Sequence, residues 1–316
     1  MNIASNWNWQ PPRGWVRIKT VDLHTGGEPL RVFLHGLPEI KGSTILEQRR
    51  YFRDHLDQIR TSILWEPRGH ADMYGAVITP PVSADADFGT FFLHNEGYST
   101  MCGHAIIALT KLVLDTGMIA KPGAEPELVI DAPPGKIRAK ARRVKGVVEQ
   151  VSFLNVPSFL LLRDQTVAVA EIGPVAFDVG FGGAFYALVK AADVGIDLDQ
   201  EHYSQLIDWG RRIKQAVMER FPITHPVEAD LSFLYGTIFS GPPHNPKHHS
   251  RNVCIFADGE LDRSATGSGV SARAAQLYAR GELQPGQPIT IESILGSTMT
   301  VQVVETTPFG PHGAVV

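Results

Sequence analysis

Short apolar runs and longer amphipathic segments alternate along the chain. The runs are rich in Val, Ile, Leu and Phe and are bounded by turn residues, a pattern typical of strands. Two longer segments, 45–63 and 105–117, carry apolar residues at helical spacing and predict helices. A charged amphipathic segment, 201–220, predicts a helix that covers the outside of a sheet. Strands are predicted in the first half at 16–23, 30–34, 75–80 and 88–94.

The same landmarks occur twice in the same order. Asp22 begins a pattern of an acidic residue, a Gly-Gly turn and an apolar run, and Asp178 begins the same pattern again. Further on, Cys102 precedes one helical segment and Thr266 precedes another. Landmarks in matching order predict two copies of one architecture that face each other. An unduplicated fold stays open as the alternative, because Gly-Gly turns and Gly-led helices are common in α/β proteins.

Composition narrows the class of protein. A chain of 316 residues can bury a large core in one large or two ordinary domains. A hydrophobic content of 43% and a net charge of −4 fit a soluble globular protein and argue against a nucleic-acid partner. No stretch predicts a membrane span, and the first residues lack the features of a signal peptide. With two cysteines no disulfide framework is predicted, so we expect a cytoplasmic protein.

Cys102 is the first candidate for chemistry. It directly precedes an apolar helical segment, and Gly103 allows close approach to the backbone amides there. The positive end of a helix stabilises a thiolate and predicts a depressed cysteine pKa, so Cys102 could act as a base. The alternative is a small buried hydrophobic residue, as most free cysteines are. Cys254 lies inside an apolar run and is interpreted as such a buried residue.

Thr266 occupies the corresponding place before the second helical segment. Its simplest role is that of an N-cap. If the two halves meet at their helix starts, however, Cys102 and Thr266 would flank one small cavity. Two helix N-termini directed at one point would also bind a carboxylate strongly, and would acidify a proton on the adjacent carbon. Such a cavity would suit an amino or imino acid.

A glycine pattern near Thr266 suggests a competing function. Residues 267–272 satisfy the GxGxxG/A pattern of dinucleotide-binding loops, and Glu292 lies where a ribose-binding acid would be. A dinucleotide loop directly follows its strand, whereas residues 257–266 intervene here. Too little chain remains after residue 269 for the repeated units of that fold. We therefore reject this interpretation.

The remaining polar candidates are six histidine and aspartate residues. His70, Asp72 and His225 are possible polar walls of the cavity, although ordinary structural roles are slightly favoured for each. Three other histidines lie in a Pro-rich loop with no carboxylate or cysteine at ligand spacing, so no metal site is predicted there. These three are His244, His248 and His249.

Taken together, six segments resemble the proline racemase superfamily, which includes hydroxyproline epimerases and trans-3-hydroxyproline dehydratases. The resemblance runs from about residue 16 to the C-terminus. It implies an α/β (α+β) fold of two similar domains of the diaminopimelate-epimerase type, each a curved sheet around a central helix, with the active site in the cleft between them. It also implies a homodimer and no cofactor. The segments are DLHTGGEPLRV, EPRGHADMYGAV, MCGHAIIAL, GGAFYALV, LDRSATGSGVSARAAQL and ESILGS.

The predicted boundary between the two halves lies near residue 145. The first half spans residues 1–145 and carries Cys102, and residues 290–316 are expected to complete it. The second half spans residues 146–289 and carries Thr266.

One position departs from the racemase pattern and changes the implied reaction. Racemases of this family have a second cysteine where this chain has Thr266. A hydroxyl is a far weaker acid than a thiol of pKa ~8.5, so it cannot efficiently reprotonate the opposite face of Cα. The Cys/Thr pair resembles that of trans-3-hydroxy-L-proline dehydratases. The resemblance then implies elimination of water to Δ2-pyrroline-2-carboxylate, which tautomerises to Δ1-pyrroline-2-carboxylate.

The resemblance also implies a role for each matched residue. Cys102 would remove the Cα proton, and Thr266 would orient or help protonate the departing C3 hydroxyl. Asp262 would hold the ring ammonium. The substrate carboxylate would be bound by Gly103, His104, Gly267 and Ser268. Epimerisation of 4-hydroxyproline or racemisation of proline stays open as the alternative activity, and a binding protein on a decayed enzyme scaffold stays open as a non-catalytic one.

Overall fold

Two curved sheets dominate the structure, a computed structural model that describes residues 10–309 and 312–316. Each sheet is the framework of one domain of a mixed α+β fold. Residues 1–9 of the predicted first half lie outside the described residues. No helix in the described ranges is long and apolar enough to cross a membrane.

The first sheet has eight strands. They are β1 (Lys19–Thr25), β2 (Glu28–His35), β3 (Tyr74–Thr79), β4 (Phe88–His94), β5 (Gly97–Ser99), β6 (Glu127–Ala132), β7 (Gly135–Val144) and β8 (Val147–Leu154). The helices of this part of the chain are α1 (Ile45–His55), α2 (Asp57–Leu64) and α3 (Gly103–Asp115).

The second sheet has ten strands. They are β9 (Ser158–Val169), β10 (Gly173–Phe181), β11 (Phe185–Lys190), β12 (Leu234–Gly241), β13 (Ser250–Phe256), β14 (Glu260–Leu261), β15 (Ile289–Glu292), β16 (Thr298–Val301), β17 (Thr306–Phe309) and β18 (His312–Val315). The helices here are α4 (Ala191–Val194), α5 (Tyr203–Arg220) and α6 (Gly267–Ala279), with a short 3-10 turn at Ala229–Leu231.

The predicted helices are present, with one break. Segment 45–63 forms α1 and α2, which meet at Leu56 rather than forming one helix. A capping box begins α1: the Thr44 hydroxyl accepts from the Glu47 amide at 3.1 Å, and the Glu47 carboxylate accepts from the Thr44 amide at 3.3 Å. Helix α5 buries Leu206, Ile213 and Val217 and contacts β9, β12 and β13, as its amphipathic pattern predicts.

The two sheets repeat one topology. In the first, β1 and β2 pair antiparallel, β2 and β3 parallel, β3 and β4 antiparallel, β4 and β6 parallel, and β6 and β7 antiparallel. In the second, strands β10, β11, β12, β13, β15 and β16 pair in the same sequence of orientations. Helix α3 lies between β5 and β6, and α6 lies between β14 and β15. The predicted duplication is therefore confirmed.

The C-terminal segment differs from its predicted place. Strands β15 to β18, which span most of residues 290–316, belong to the second sheet, so the expectation that this segment completes the first half is wrong. The physical reason is strand pairing: β15 pairs with β13, and β18 pairs with β9. The first sheet instead ends with β8, which lies beyond the predicted boundary at residue 145.

Each sheet curls around one apolar helix. Helix α3 contacts β1 and β2 at one end of the first sheet and β7 and β8 at the other, so the sheet wraps it. Helix α6 likewise contacts strands toward both ends of the second sheet, including β16 and β18. Ten of the thirteen residues of α3 are buried, as expected of a helix enclosed by a sheet.

The N-termini of the two central helices touch each other. A Cβ atom built on Gly103 would lie 2.5 Å from the Gly267 Cα atom, and one built on Gly267 would lie 2.4 Å from the Gly103 Cα atom. The first turns of α3 and α6 can therefore approach this closely only because both residues are glycine. The cross-domain contact places the residues that precede the two helices beside each other.

Because the clash at this contact is with backbone, a Gly267→Ala substitution is expected to push the helices apart. Overpacking of this kind costs about 1–3 kcal/mol in the free energy of unfolding, which urea denaturation would measure. Gly313→Ala is the matched control, since no heavy atom of the described residues lies within 4 Å of a Cβ built there. Equal stability of the two variants would contradict the contact.

Candidate active site

Cys102 is the N-cap residue of α3, as predicted. Its backbone is extended, and its sulfur accepts a hydrogen bond from the Ala105 amide at 3.4 Å. The side chain is 4% exposed and forms part of the wall of a small cavity. Cys254, by contrast, is fully buried on β13 and does not line the cavity, which agrees with its interpretation as a core residue.

Thr266 precedes α6 at the matching position but does not cap the helix. Its side chain makes no capping hydrogen bond, and its hydroxyl donates instead to Asp262 Oδ2 at 2.8 Å. Its φ of 67° is in the left-handed region, which a β-branched residue rarely adopts. The other Asp262 oxygen accepts from the Ser264 amide at 2.7 Å, and the Ser264 hydroxyl accepts from the Thr266 amide at 3.0 Å. This network holds the Thr266 backbone in a strained conformation, and the Thr266 hydroxyl bonds to Asp262 rather than to α6.

The cavity lies between the two helix starts. Its walls combine residues of both domains, so the predicted catalytic and carboxylate-binding residues come together in one place. Among the predicted residues these are Cys102, Gly103, His104, Asp262, Thr266, Gly267 and Ser268.

Burial raises the pKa of the Cys102 thiol well above its ordinary value. The Ala105 amide opposes this rise in the pKa, while the nearby carboxylates of Asp262 and Glu28 add to it. The expectation of a depressed cysteine pKa is therefore not met in this structure. The helix start does favour the thiolate, but burial beside two carboxylates outweighs it.

His104 lies against the Cys102 sulfur. Its Nδ1 atom is 3.1 Å from Cys102 Sγ, and the imidazole is 3% exposed. Burial lowers the pKa of His104, and Asp262 only partly opposes this, so the ring is neutral at neutral pH. A neutral imidazole can exchange a hydrogen bond with a thiol, so the His104 side chain contacts the predicted base in addition to the carboxylate-binding role predicted for this residue.

Three tyrosines complete the cavity, and sequence reasoning missed them. Tyr74 begins β3, while Tyr186 and Tyr235 belong to β11 and β12 of the second sheet. The Tyr186 hydroxyl lies 2.7 Å from the Ser268 hydroxyl. In sequence these tyrosines stand within apolar strands and look like core residues, so no local signal distinguishes them.

A second layer of charge surrounds Asp262. Glu28 is fully buried, and its Oε2 atom accepts from the Arg263 amide at 2.8 Å. Burial raises the pKa of Glu28 well above its ordinary value, and the charge of Asp262 adds to this rise. The Arg263 guanidinium pairs with Asp72 Oδ2 at 3.1 Å. Asp72 therefore belongs to this second layer of charge, through its ion pair with Arg263, and does not line the cavity.

The other histidine candidates lie elsewhere. His70 is exposed, and its Nδ1 contacts the Ala71 carbonyl oxygen. His225 lines a different cavity and packs its ring 4.8 Å from that of Phe181. His248 Nδ1 pairs with Glu292 Oε1 at 2.8 Å. Glu292, considered above as a ribose ligand, also pairs with Arg251 at 3.0 Å and accepts the amides of 244 and 245, so it anchors this loop.

The chain belongs to the proline racemase family, whose model matches residues 20–316. A trans-3-hydroxy-L-proline dehydratase from Colwellia psychrerythraea is 50% identical to it over 98% of this chain and 88% of the relative. A 3-hydroxyproline 2-epimerase from Burkholderia multivorans is 42% identical over 95% of this chain and 89% of the relative.

A solved structure shares the whole architecture. The crystal structure of a hydroxyproline epimerase from Agrobacterium vitis, with bound trans-4-OH-L-proline, superposes with a TM-score of 0.90 at 28% identity. The superposition covers 94% of this chain and 87% of that one. The expected fold class and family are thereby confirmed.

Since burial and two carboxylates raise the pKa of Cys102, its alkylation by iodoacetamide is expected to accelerate with pH and to reach its midpoint above the ordinary thiol pKa of ~8.5. Peptide mass spectrometry would follow Cys102 separately from Cys254. A rate that is already maximal at neutral pH would show that the helix start, and not burial, governs this thiol.

Proposed function

We propose that this protein dehydrates trans-3-hydroxy-L-proline to Δ1-pyrroline-2-carboxylate. The observation that carries the proposal is the pairing of one cysteine, Cys102, with Thr266 at the two helix starts that line the same cavity. The 50% identity to a relative named for this activity supports it.

The substrate carboxylate would bind where the two helix N-termini meet. The Thr266 side chain does not cap α6, which leaves amides of the first turn available to an anion. The Gly103 and Gly267 contact lets the dipoles of both helices act on the same group. The first-turn amides stabilise negative charge that develops when the Cα proton is lost.

Asp262 would hold the ring ammonium, and this contact prepares the base. The carboxylates of Asp262 and Glu28 help to raise the pKa of Cys102. A bound ammonium offsets that negative charge, so substrate binding lowers the pKa of Cys102 and favours the thiolate. Neutral His104, 3.1 Å from the sulfur, offers an acceptor for the thiol proton. The base would therefore be activated by the substrate itself.

Thr266 decides the outcome of deprotonation. Cα inversion needs an acid on the face opposite Cys102, and the Thr266 hydroxyl is too weak an acid for that role at neutral pH. It is moreover committed as a donor to Asp262 Oδ2 at 2.8 Å. The carbanion therefore proceeds by loss of the C3 hydroxyl.

Location and assembly belong to the same proposal. We expect a homodimer that needs no cofactor, as the family resemblance implies, and a cytoplasmic location, as the lack of a predicted disulfide framework indicates. Size-exclusion chromatography with light scattering would measure the oligomeric state.

Incubation with trans-3-hydroxy-L-proline is expected to yield an imine that reacts with o-aminobenzaldehyde. Cys102→Ala removes the base and should lower kcat by about 10²- to 10⁴-fold. Cys254→Ser, which keeps a hydrogen-bonding group beside Thr266 and lies outside the cavity wall, should retain most of the activity. Inversion of the substrate at Cα without formation of imine would overturn the dehydratase proposal in favour of an epimerase.

A Thr266→Cys variant is expected to gain the second acid. A thiol on the opposite face can return a proton to Cα, so the variant should invert hydroxyproline at Cα while its dehydration slows. Chiral chromatography of the recovered amino acid would measure inversion, with Thr266→Ser as the matched control that keeps a hydroxyl. Equal inversion by Thr266→Cys and Thr266→Ser would show that the residue opposite Cys102 does not select the reaction.

A further inference from the structure

Two tyrosine hydroxyls in the cavity make no hydrogen bond of good geometry within the described residues, although they lie close enough to affect each other's pKa. They belong to Tyr74 and Tyr235, which are both buried and both line the cavity with Cys102. An unpaired buried hydroxyl costs about 1–3 kcal/mol, so a folded protein retains one chiefly where a ligand completes it. The third cavity tyrosine, Tyr186, differs because it is already paired with Ser268 at 2.7 Å.

Tyr74 lies on the Cys102 side of the cavity. Its ring packs edge-on against the His104 ring, with centroids 4.9 Å apart, and its hydroxyl is close enough to Cys102 to oppose the rise in the pKa of that thiol. The Ser99 hydroxyl, which also lies beside Tyr74, donates instead to the Met101 carbonyl oxygen at 2.9 Å. The Tyr74 hydroxyl is thus available to a ligand next to the base.

Substrate stereochemistry fixes where the leaving group must be. In trans-3-hydroxy-L-proline the carboxylate and the C3 hydroxyl are on opposite faces of the ring, so the Cα proton and the C3 hydroxyl are on the same face. If Cys102 removes that proton, the hydroxyl also departs on the Cys102 face. Thr266, at the start of the other helix, would face the opposite side of the ring and is therefore badly placed to protonate the departing oxygen.

On the basis of the proposed function, we propose that Tyr74 recognises the leaving group. Its hydroxyl hydrogen-bonds the C3 hydroxyl of the substrate on the Cys102 face. This contact selects substrates that carry a hydroxyl at C3. This replaces the expectation that Thr266 assists the departure of the hydroxyl.

The elimination balances with one base. The Cys102 thiolate first takes the Cα proton and leaves a carbanion that the helix amides stabilise. The electron pair of that C–H bond then forms the C2=C3 double bond as the C3–O bond breaks. The new Cys102 thiol gives its proton to the departing oxygen, which leaves as water, and the thiolate is restored. Burial raises the pKa of Tyr74 well above its ordinary value, so Tyr74 stays protonated and acts as a hydrogen-bond donor rather than as the proton source.

Tyr74→Phe removes only the hydroxyl and tests this assignment. We expect kcat/KM for trans-3-hydroxy-L-proline to fall by about 10- to 100-fold, as for a lost hydrogen bond to a substrate hydroxyl. Inhibition by pyrrole-2-carboxylate, which has no C3 hydroxyl, should be unchanged. Tyr51→Phe, on α1 and outside the cavity, is the matched control and should behave as wild type.

An isotope effect separates recognition of the leaving group from an effect on the base. If Tyr74→Phe slows C–O cleavage, removal of the Cα proton limits the rate less than it does in the wild type. With Cα-deuterated substrate, the isotope effect of the variant on kcat/KM is then no larger than that of the wild type. A larger isotope effect would mean that Tyr74 acts on proton removal by Cys102, and would overturn the assignment. Unchanged kcat/KM, or an equal loss of pyrrole-2-carboxylate binding, would overturn it too. If the wild-type protein forms no imine at all, the proposed function itself fails, which is a distinguishable result.

Discussion

The contact between the first turns of α3 and α6 is the constraint on which the site depends. Gly103 and Gly267 approach within a distance that any Cβ would prevent. Each helix is wrapped by its own sheet. This one contact therefore sets the position of one domain against the other, at the point where both helix N-termini meet. It places Cys102 and Thr266 at one cavity and directs two sets of helix amides at the same point.

In this cleft, burial opposes the stabilisation of negative charge by the helix N-termini. Helix termini favour anions there, yet Asp262, Glu28 and Cys102 are all buried within reach of one another. Burial and mutual repulsion raise the pKa of Glu28 and of Cys102. A zwitterionic imino acid would suit such a site under the proposed function, since the helix amides would bind its carboxylate and the carboxylates of the cleft would bind its ammonium.

Under the proposed function, a single side chain, that of Thr266, selects between elimination and inversion. Two helix starts related by an internal repeat would offer equivalent groups to both faces of a bound ring. Here the second position carries a hydroxyl held by Asp262 in a strained backbone conformation, with φ of 67°. The internal repeat provides two positions for an acid or a base, but in the proposed mechanism only Cys102 acts as one. The Tyr74 hydroxyl lies on the Cys102 side of the cavity. Asymmetry at the helix starts therefore favours elimination over inversion.

The sequence by itself determined the local features of this protein. The duplicated Gly-Gly turns, the helix starts at Cys102 and Thr266 and the acidic Asp262 were readable because capping, glycine turns and hydrophobic periodicity act over a few residues. Only the tertiary structure decided three other matters. Strand pairing across the fold assigned residues 290–316 to the second sheet, and burial beside Asp262 and Glu28 raised the pKa of Cys102. Packing of strands from both domains brought Tyr74 and Tyr235 to the cavity, and no local pattern encodes a contact between residues so distant in sequence.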